Sequence, residues 1–128
     1  MDKFVAASKN GECLCGAVKV EIVGEPKFTI RCYCKDCRHI SGGGHLPQVM
    51  MKREQVTVSG AIKSHKWKSA SANDVELGFC GNCGSPIYKP TTMMKGNMSV
   101  LVGSLNDSSS ISFKNSAYQD SRQPWDKD

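Results

Sequence analysis

The chain has 128 residues, 39% of them hydrophobic and 23% charged, which predicts one domain spanning residues 1–128. The formal net charge is +5, from 17 basic and 12 acidic residues. No apolar stretch approaches the ~20 residues of a membrane-spanning helix, and residues 1–10 lack the apolar block of a secretory signal. We therefore expect no membrane partner and a cytoplasmic, reducing location.

Hydrophobic residues recur at every second position along much of the chain, a pattern that predicts β-strands. Val18, Val20 and Ile22 form the first row, which ends at residues 24–26, and a second strand is expected at 28–32. One short helix is expected near residues 36–40, ended by the glycines at 42–44. Further strands are predicted at 56–58, 62–69, 75–79 and 98–102, with a hairpin turn at 71–74. The chain is thus expected to be mainly β, with at most one or two short helices.

The positive charge on its own would suit a nucleic acid, but the basic residues are scattered. Their densest run, residues 63–68, has the alternating pattern of a solvated strand face. We therefore do not expect a nucleic-acid partner, whereas a small positive field favours an acidic small substrate. The polar tail from Asn115 is predicted to be loosely held, with Trp125 as its one apolar anchor.

The seven cysteines fall into three tight clusters. These are Cys13 with Cys15, then Cys32 with Cys34 and Cys37, and finally Cys80 with Cys83. An odd number of cysteines and a reducing compartment both argue against a closed disulfide framework, so the clustering indicates metal ligation. We predict two zinc ions per chain, because zinc takes thiolate ligands in fours at structural sites and in threes at open sites.

The first and last clusters together supply four thiolates, enough to close a tetrahedral structural zinc site. A Cys-x-Cys pair inside a strand presents both side chains on one face, so Cys13 and Cys15 are predicted to lie side by side. Cys80 and Cys83 belong to a zinc-knuckle sequence, in which Gly84 permits the positive φ of a tight turn.

The middle cluster leaves three thiolates, Cys32, Cys34 and Cys37, the ligand set of a catalytic zinc with one open position. That position could admit water, a substrate thiolate or a carbonyl oxygen. Because three thiolates donate heavily, such a zinc should orient a sulfur nucleophile better than it ionises water. Two alternatives stay open: a histidine (His39, His45 or His65) completes a purely structural site, or the Cys-x-x-Cys pairs have a redox role.

Residues beside the middle cluster are candidates for substrate binding. Arg38 could pair with a substrate carboxylate through its planar guanidinium group. Gly42 and the two glycines after it could let the backbone approach a ligand, and His45 could act as a general acid or base. Each also has a simpler explanation, as a solvated arginine, a helix end and a surface histidine.

Five stretches of the chain combine into a recognisable pattern. They are GECLCG at 11–16, CYCKDCR at 32–38 followed by Ser41-Gly42, FCGNCGSP at 79–86, GSLND at 103–107 and PW at 124–125. In this order they resemble the glutathione-dependent formaldehyde-activating enzyme family. The resemblance spans about residues 10–126.

The resemblance implies small antiparallel sheets assembled around a structural zinc, and a second, catalytic zinc. The structural ligands would be Cys13, Cys15, Cys80 and Cys83, and the catalytic ligands Cys32, Cys34 and Cys37. It also implies a zinc-dependent carbon–sulfur lyase that joins or releases formaldehyde and glutathione as S-hydroxymethylglutathione. The alternative is a non-catalytic zinc-binding module that binds a protein or nucleic-acid partner.

Overall fold

The structure, a computed structural model, describes residues 8–90 and 95–127. Within them the chain is mainly β, as its alternating pattern predicts, with one α-helix, α1 (Lys35–Ser41), between β3 and β4. The strands are β1 (Ser8–Glu12), β2 (Val18–Val23), β3 (Phe28–Cys32), β4 (Leu46–Lys52), β5 (Val56–Gly60), β6 (Ile62–Lys68), β7 (Asp74–Cys80), β8 (Pro86–Lys89), β9 (Asn97–Leu101) and β10 (Asn115–Ala117). No helix in the described part is long and apolar enough to span a bilayer.

The strands form two sheets. A three-stranded antiparallel sheet has the order β1-β2-β5, and a seven-stranded sheet has the order β10-β3-β4-β9-β8-β7-β6. The larger sheet is antiparallel except at one edge, where β10 runs parallel to β3. Short connections explain the antiparallel pairs β6-β7 and β7-β8, whereas β4 pairs with β9 from later in the chain and β10 comes from the far end.

The two faces of the large sheet have different coverings. On one face, Val49 and Met51 of β4 pack in the main core with Val18 and Val20 of the small sheet. On the other face, Leu46 of β4 packs beneath α1, in a second cluster that includes Cys32 and Cys37. Strand β4 serves both faces because successive side chains point to opposite sides. Burial of each large apolar side chain contributes roughly 1.5–3 kcal/mol.

Most of the predicted elements are present at the expected places. The helix predicted near residues 36–40 is confirmed, and Gly42, with φ 71°, ends it by donating its N–H to the Arg38 carbonyl. The hairpin predicted from residues 62–69 and 75–79 is confirmed as β6 and β7. The strand expected at 98–102 stops at Leu101, because a 3-10 turn begins at Val102. Strand β4 lacks an alternating pattern, since both of its faces are largely buried.

Candidate metal centres

Two tight turns bring Cys13, Cys15, Cys80 and Cys83 together, with all four sulfur atoms within 4.8 Å of one another. The Cys13 and Cys15 sulfurs are 3.7 Å apart, and those of Cys15 and Cys80 are 3.8 Å apart. A tetrahedral zinc site with Zn–S bonds of about 2.3 Å has S–S edges of about 3.8 Å. The donor set therefore fits a tetrahedral metal ion, and we call it the four-cysteine centre.

The placement of Cys13 and Cys15 inside a strand was wrong. Strand β1 ends at Glu12 and β2 begins at Val18, so both cysteines lie in the turn between them. Gly16, with φ 82°, lets the chain reverse direction, and the Gly16 N–H donates to the Cys13 carbonyl. The Val18 N–H then donates to the Cys13 sulfur at 3.2 Å. The turn, rather than a strand pleat, gathers the two sulfurs.

Several N–H and O–H groups donate to the other sulfurs of the four-cysteine centre. The backbone N–H groups of Asn82 and Cys83 lie 3.3 and 3.4 Å from the Cys80 sulfur. The Asn82 side-chain amide donates to the Cys15 sulfur at 3.2 Å. The hydroxyl and backbone N–H of Ser85 lower the pKa of Cys83 to about 5. These donors stabilise thiolates, the form in which cysteine binds a metal ion.

The three-cysteine centre comprises Cys32, Cys34 and Cys37, whose sulfurs also lie within 4.8 Å of one another. Cys32 ends β3, Cys34 caps the start of α1, and Cys37 lies in the first turn of that helix. Cys32 and Cys37 are buried, whereas Cys34 is half-buried. Within residues 8–90 and 95–127 no fourth cysteine or carboxylate completes the group, and neither His39 nor His45 joins it.

The thiols of this centre compete for one negative charge. Hydrogen bonds from Cys32 and Cys37, with the backbone N–H groups of Cys37 and Asp36, lower the pKa of Cys34 to about 2. The hydrogen bond with Cys34 raises the pKa of Cys32, and the bonds with both partners raise that of Cys37. Cys34 takes the charge because it caps the helix and accepts the Cys37 N–H at 3.3 Å. A thiolate is thus held at the most accessible of the three positions.

Polar side chains beneath the three-cysteine centre were missed by the sequence analysis. Gln48 is only 3% exposed, and its amide nitrogen lies 3.9 Å from the Cys37 sulfur and 3.4 Å from the Leu46 carbonyl. Thiol hydrogen bonds and burial raise the pKa of Cys37, and the charge of Lys89 opposes them. One signal was available: Gln48 is a polar residue within a hydrophobic run.

The three candidates for substrate binding have different surroundings. The Arg38 side-chain Nε donates to the Tyr33 carbonyl at 3.2 Å, which joins the helix to the preceding loop. Gly42 ends α1 in the left-handed region, a conformation that accounts for a glycine at this position. His45 Nδ1 lies 2.9 Å from an Asp126 carboxylate oxygen. The substrate-binding roles of Arg38, Gly42 and His45 stay predictions.

A cleft of about 750 Å³ is lined by Cys13 of the four-cysteine centre and by residues that neighbour the three-cysteine centre. Ser41 and His45 line one side of it, and Cys13 of the four-cysteine centre lines another. Leu46 and Leu101 also line it, and both pack against the three-cysteine centre. The volume falls in the range of small-molecule sites.

A second cleft, of about 410 Å³, lies beside α1 and is lined by residues of β6 and β7, among them Leu77. Leu77 also packs against the three-cysteine centre. The Trp67 indole N–H donates to the Asp36 carboxylate at 3.0 Å and so joins β6 to the helix. The helix that carries two of the sulfurs is therefore held by its neighbours as well as by its own turn.

The C-terminal segment is fastened beside the three-cysteine centre. Strand β10 pairs with β3 as far as Cys32, and the Tyr33 N–H donates to the Ala117 carbonyl at 3.0 Å. Trp125 is 68% exposed, so its predicted role as an apolar anchor was wrong. The neighbouring Asp126 holds the tail instead, through its hydrogen bond with His45.

The fold and these centres define a class of small, mainly β proteins with two cysteine groups that could hold metal ions. The sequence profile of the glutathione-dependent formaldehyde-activating enzyme family matches residues 8–121. The chain belongs to this family, which confirms the resemblance carried by its motifs. Membership supports, in general terms, a formaldehyde-activating function related to glutathione.

A solved structure has a similar fold. The chain is similar to a Rhodobacter sphaeroides protein of known crystal structure, with a TM-score of 0.64 and 18% sequence identity. The match covers 84% of this chain and 99% of that one. The comparison with curated proteins finds no match.

Proposed function

We propose that the protein is a zinc-dependent carbon–sulfur lyase that joins and releases formaldehyde and glutathione as S-hydroxymethylglutathione. The observation that carries this proposal is the unequal sharing of seven cysteines between two centres. Four sulfurs close one centre, whereas the other lacks a fourth protein ligand in the described chain. Family membership supports glutathione and formaldehyde as the reactants.

We assign a structural zinc to the four-cysteine centre and a catalytic zinc to the three-cysteine centre. Both donor sets consist of thiolate sulfur, which zinc prefers among protein ligands of this kind. Cys32, Cys34 and Cys37 would hold the zinc ion with one position left over, and the bound metal would supply stabilisation of a substrate thiolate. The half-buried Cys34 is the ligand nearest to solvent, so substrate would approach the centre from its side.

The reaction itself balances without an oxidant or reductant. The glutathione sulfur attacks the formaldehyde carbon, a carbon–sulfur bond forms, and the carbonyl π pair moves to oxygen, which takes up a proton. The reverse reaction breaks that bond and returns the proton to sulfur. Much of the rate gain would come from holding both reactants in one orientation, which converts a bimolecular encounter into a local step.

We assign the proton transfer to His45. Its Nδ1 faces the Asp126 carboxylate, which can only accept a hydrogen bond, so Nδ1 carries the hydrogen. The other ring nitrogen, Nε2, then has a free lone pair and no hydrogen-bond partner among the described residues. His45 lines the 750 Å³ cleft, where Nε2 would exchange the proton with the hydroxymethyl oxygen.

The experiment measures how fast formaldehyde, glutathione and their adduct exchange, by NMR exchange spectroscopy, together with a zinc count. We expect two zinc ions per chain and faster exchange with the protein than without it. Cys34→Ser should keep one zinc and lose the acceleration. The control variant Lys27→Gln changes an exposed lysine in the β2–β3 loop, and it should keep both zinc ions and the acceleration. A protein that holds two zinc ions yet leaves the exchange rate unchanged would instead be the non-catalytic module.

A further inference from the structure

A lysine lies on the same face of the large sheet as the three-cysteine centre. Leu46 packs against that centre, and Gln48, two residues along β4, points to the same side. Gln48 is opposite Leu101, Ser99 is two residues before Leu101, and Lys89 is opposite Ser99. Directly opposed residues share a face, so the register places Lys89 on the face of the large sheet that carries α1, and its charge acts on Cys37.

The Lys89 ammonium group has unused donors. Its side chain is half-buried, and no residue in 8–90 or 95–127 forms a hydrogen bond or ion pair with Nζ. By contrast, Lys19 and Lys68 pair with Glu12 and Asp74. A partly desolvated cation without an acceptor is unfavourable, so the position is suited to an anion from outside the chain.

The cysteines alone do not satisfy this lysine. Its charge acts on Cys37, yet the hydrogen bond to the Cys37 sulfur comes from Gln48 instead. Sulfur is a weak acceptor, whereas a carboxylate accepts strongly from an ammonium group. An oxygen anion bound close to the sulfurs would use donors that the protein leaves free. Glutathione carries two carboxylates on the same molecule as its thiol.

We propose that Lys89 forms a carboxylate subsite, which binds one carboxylate of the thiol whose sulfur occupies the three-cysteine centre. The proposal rests on the proposed function for the thiol chemistry, and it adds the part of the substrate that is selected. Ser99 borders the subsite from β9. The protein should therefore prefer thiols with a carboxylate to neutral thiols of the same size.

The test uses cobalt-loaded protein, in which thiol binding is followed by the sulfur-to-cobalt absorption band rather than by turnover. The two probes are 3-mercaptopropionate, which has a carboxylate, and 2-mercaptoethanol, which is neutral. We expect Lys89→Gln to weaken binding of 3-mercaptopropionate by about tenfold, as for a hydrogen bond to a charged group, and to leave 2-mercaptoethanol unchanged. Lys89→Arg should retain the preference.

A matched control separates a local contact from net charge. Lys27→Gln removes the same charge at an exposed position in the β2–β3 loop and should leave both dissociation constants unchanged. Added salt should reduce the preference of the unmodified protein, because the subsite is partly open to solvent. The cobalt spectrum without thiol should be the same in all variants, which checks folding and metal occupancy.

Three results would overturn the subsite. The first is an equal loss of affinity for both thiols in Lys89→Gln, which would mean that Lys89 only balances the charge of the cysteine sulfurs. The second is an unchanged affinity for both thiols in that variant. The third is that the unmodified protein binds no thiol. Failure of the proposed function looks different. In that case the Lys89-dependent preference is present, but the zinc-loaded protein does not accelerate exchange between glutathione and formaldehyde.

Discussion

The two sulfur centres use the same ligand type but are built from different backbone. The four-cysteine centre joins two turns. Each turn supplies two sulfurs, which together make the four ligands of a tetrahedral site. The three-cysteine centre joins the end of β3 to the start of α1, and this junction supplies three sulfurs. Local backbone geometry thus decides how many cysteine sulfurs each centre gathers among the described residues.

The two centres also differ in their position in the fold and in the side chains that surround them. The four-cysteine centre links the small sheet to the large one, and the Leu14 N–H reinforces the link by donating to the Ser85 hydroxyl at 3.0 Å. The three-cysteine centre lies on one face of the large sheet and is bordered by a buried amide and by Lys89, whose Nζ has no partner among the described residues. These surroundings agree with the proposed division into a structural and a catalytic centre.

Metal removal should have the largest effect and should fall on the four-cysteine centre. Binding of a structural zinc is worth roughly 10–16 kcal/mol, comparable to the ~5–15 kcal/mol net stability of a whole domain. A strong chelator should therefore unfold the protein cooperatively, with loss of the far-UV circular dichroism of the β-sheets. A spectrum that is unchanged after complete metal removal would contradict a structural role.

Single cysteine substitutions should separate the centres. Cys80→Ser removes a fully buried ligand that accepts two N–H groups, so we expect loss of one zinc and destabilisation by more than about 4 kcal/mol. Cys34→Ser should lose the other zinc at a cost of less than about 2 kcal/mol, because that side chain is half-buried. Zinc counting with denaturant unfolding measures both, and equal destabilisation would remove the distinction.

Much of this division could be predicted from sequence, because the ligands lie in tight clusters: two pairs make up the four-cysteine centre, and one run makes up the three-cysteine centre. The spacing of Cys80 and Cys83, or of Cys34 and Cys37, fits a turn or a helix start without knowledge of the rest of the fold. The α-helix and the alternating strands were predictable for the same reason, since their signals are local.

The rest depends on contacts between distant segments. Lys89 reaches the three-cysteine face only through the registers of β8, β9 and β4, and no local pattern encodes a register. The hydrogen bond between His45 and Asp126 joins residues 81 apart, so the fastening of the tail could not be predicted from its polar sequence. Tertiary pairing, rather than composition, decides these positions.

Replacing Gln48 should change the metal affinity of the three-cysteine centre alone. Gln48→Leu removes the amide that donates to the Cys37 sulfur, and loss of such a supporting contact typically lowers metal affinity by about 10–100-fold. Folding stability should hold, because an apolar side chain suits a buried strand position. Competition with a zinc-binding dye measures the affinity of each centre. An equal loss of zinc affinity at the four-cysteine centre would show a general packing effect instead.

The smallest effect should come from the contact that holds the C-terminal tail beside the open centre. A Cβ at Gly44 would lie 2.9 Å from Asp126 Cβ and closer still to its carboxylate, so Gly44→Ala must push Asp126 away from His45. At Gly43 an added Cβ has only the Ser41 hydroxyl near it, at 3.7 Å, which makes Gly43→Ala the matched control. We expect the first change to cost about 1 kcal/mol and to speed amide exchange in β10, while the second changes neither. If Gly44→Ala acts through this contact, it should cause no further loss of stability in a protein that already carries Asp126→Ala. Additive losses of stability in the double variant would show that the tail is held elsewhere.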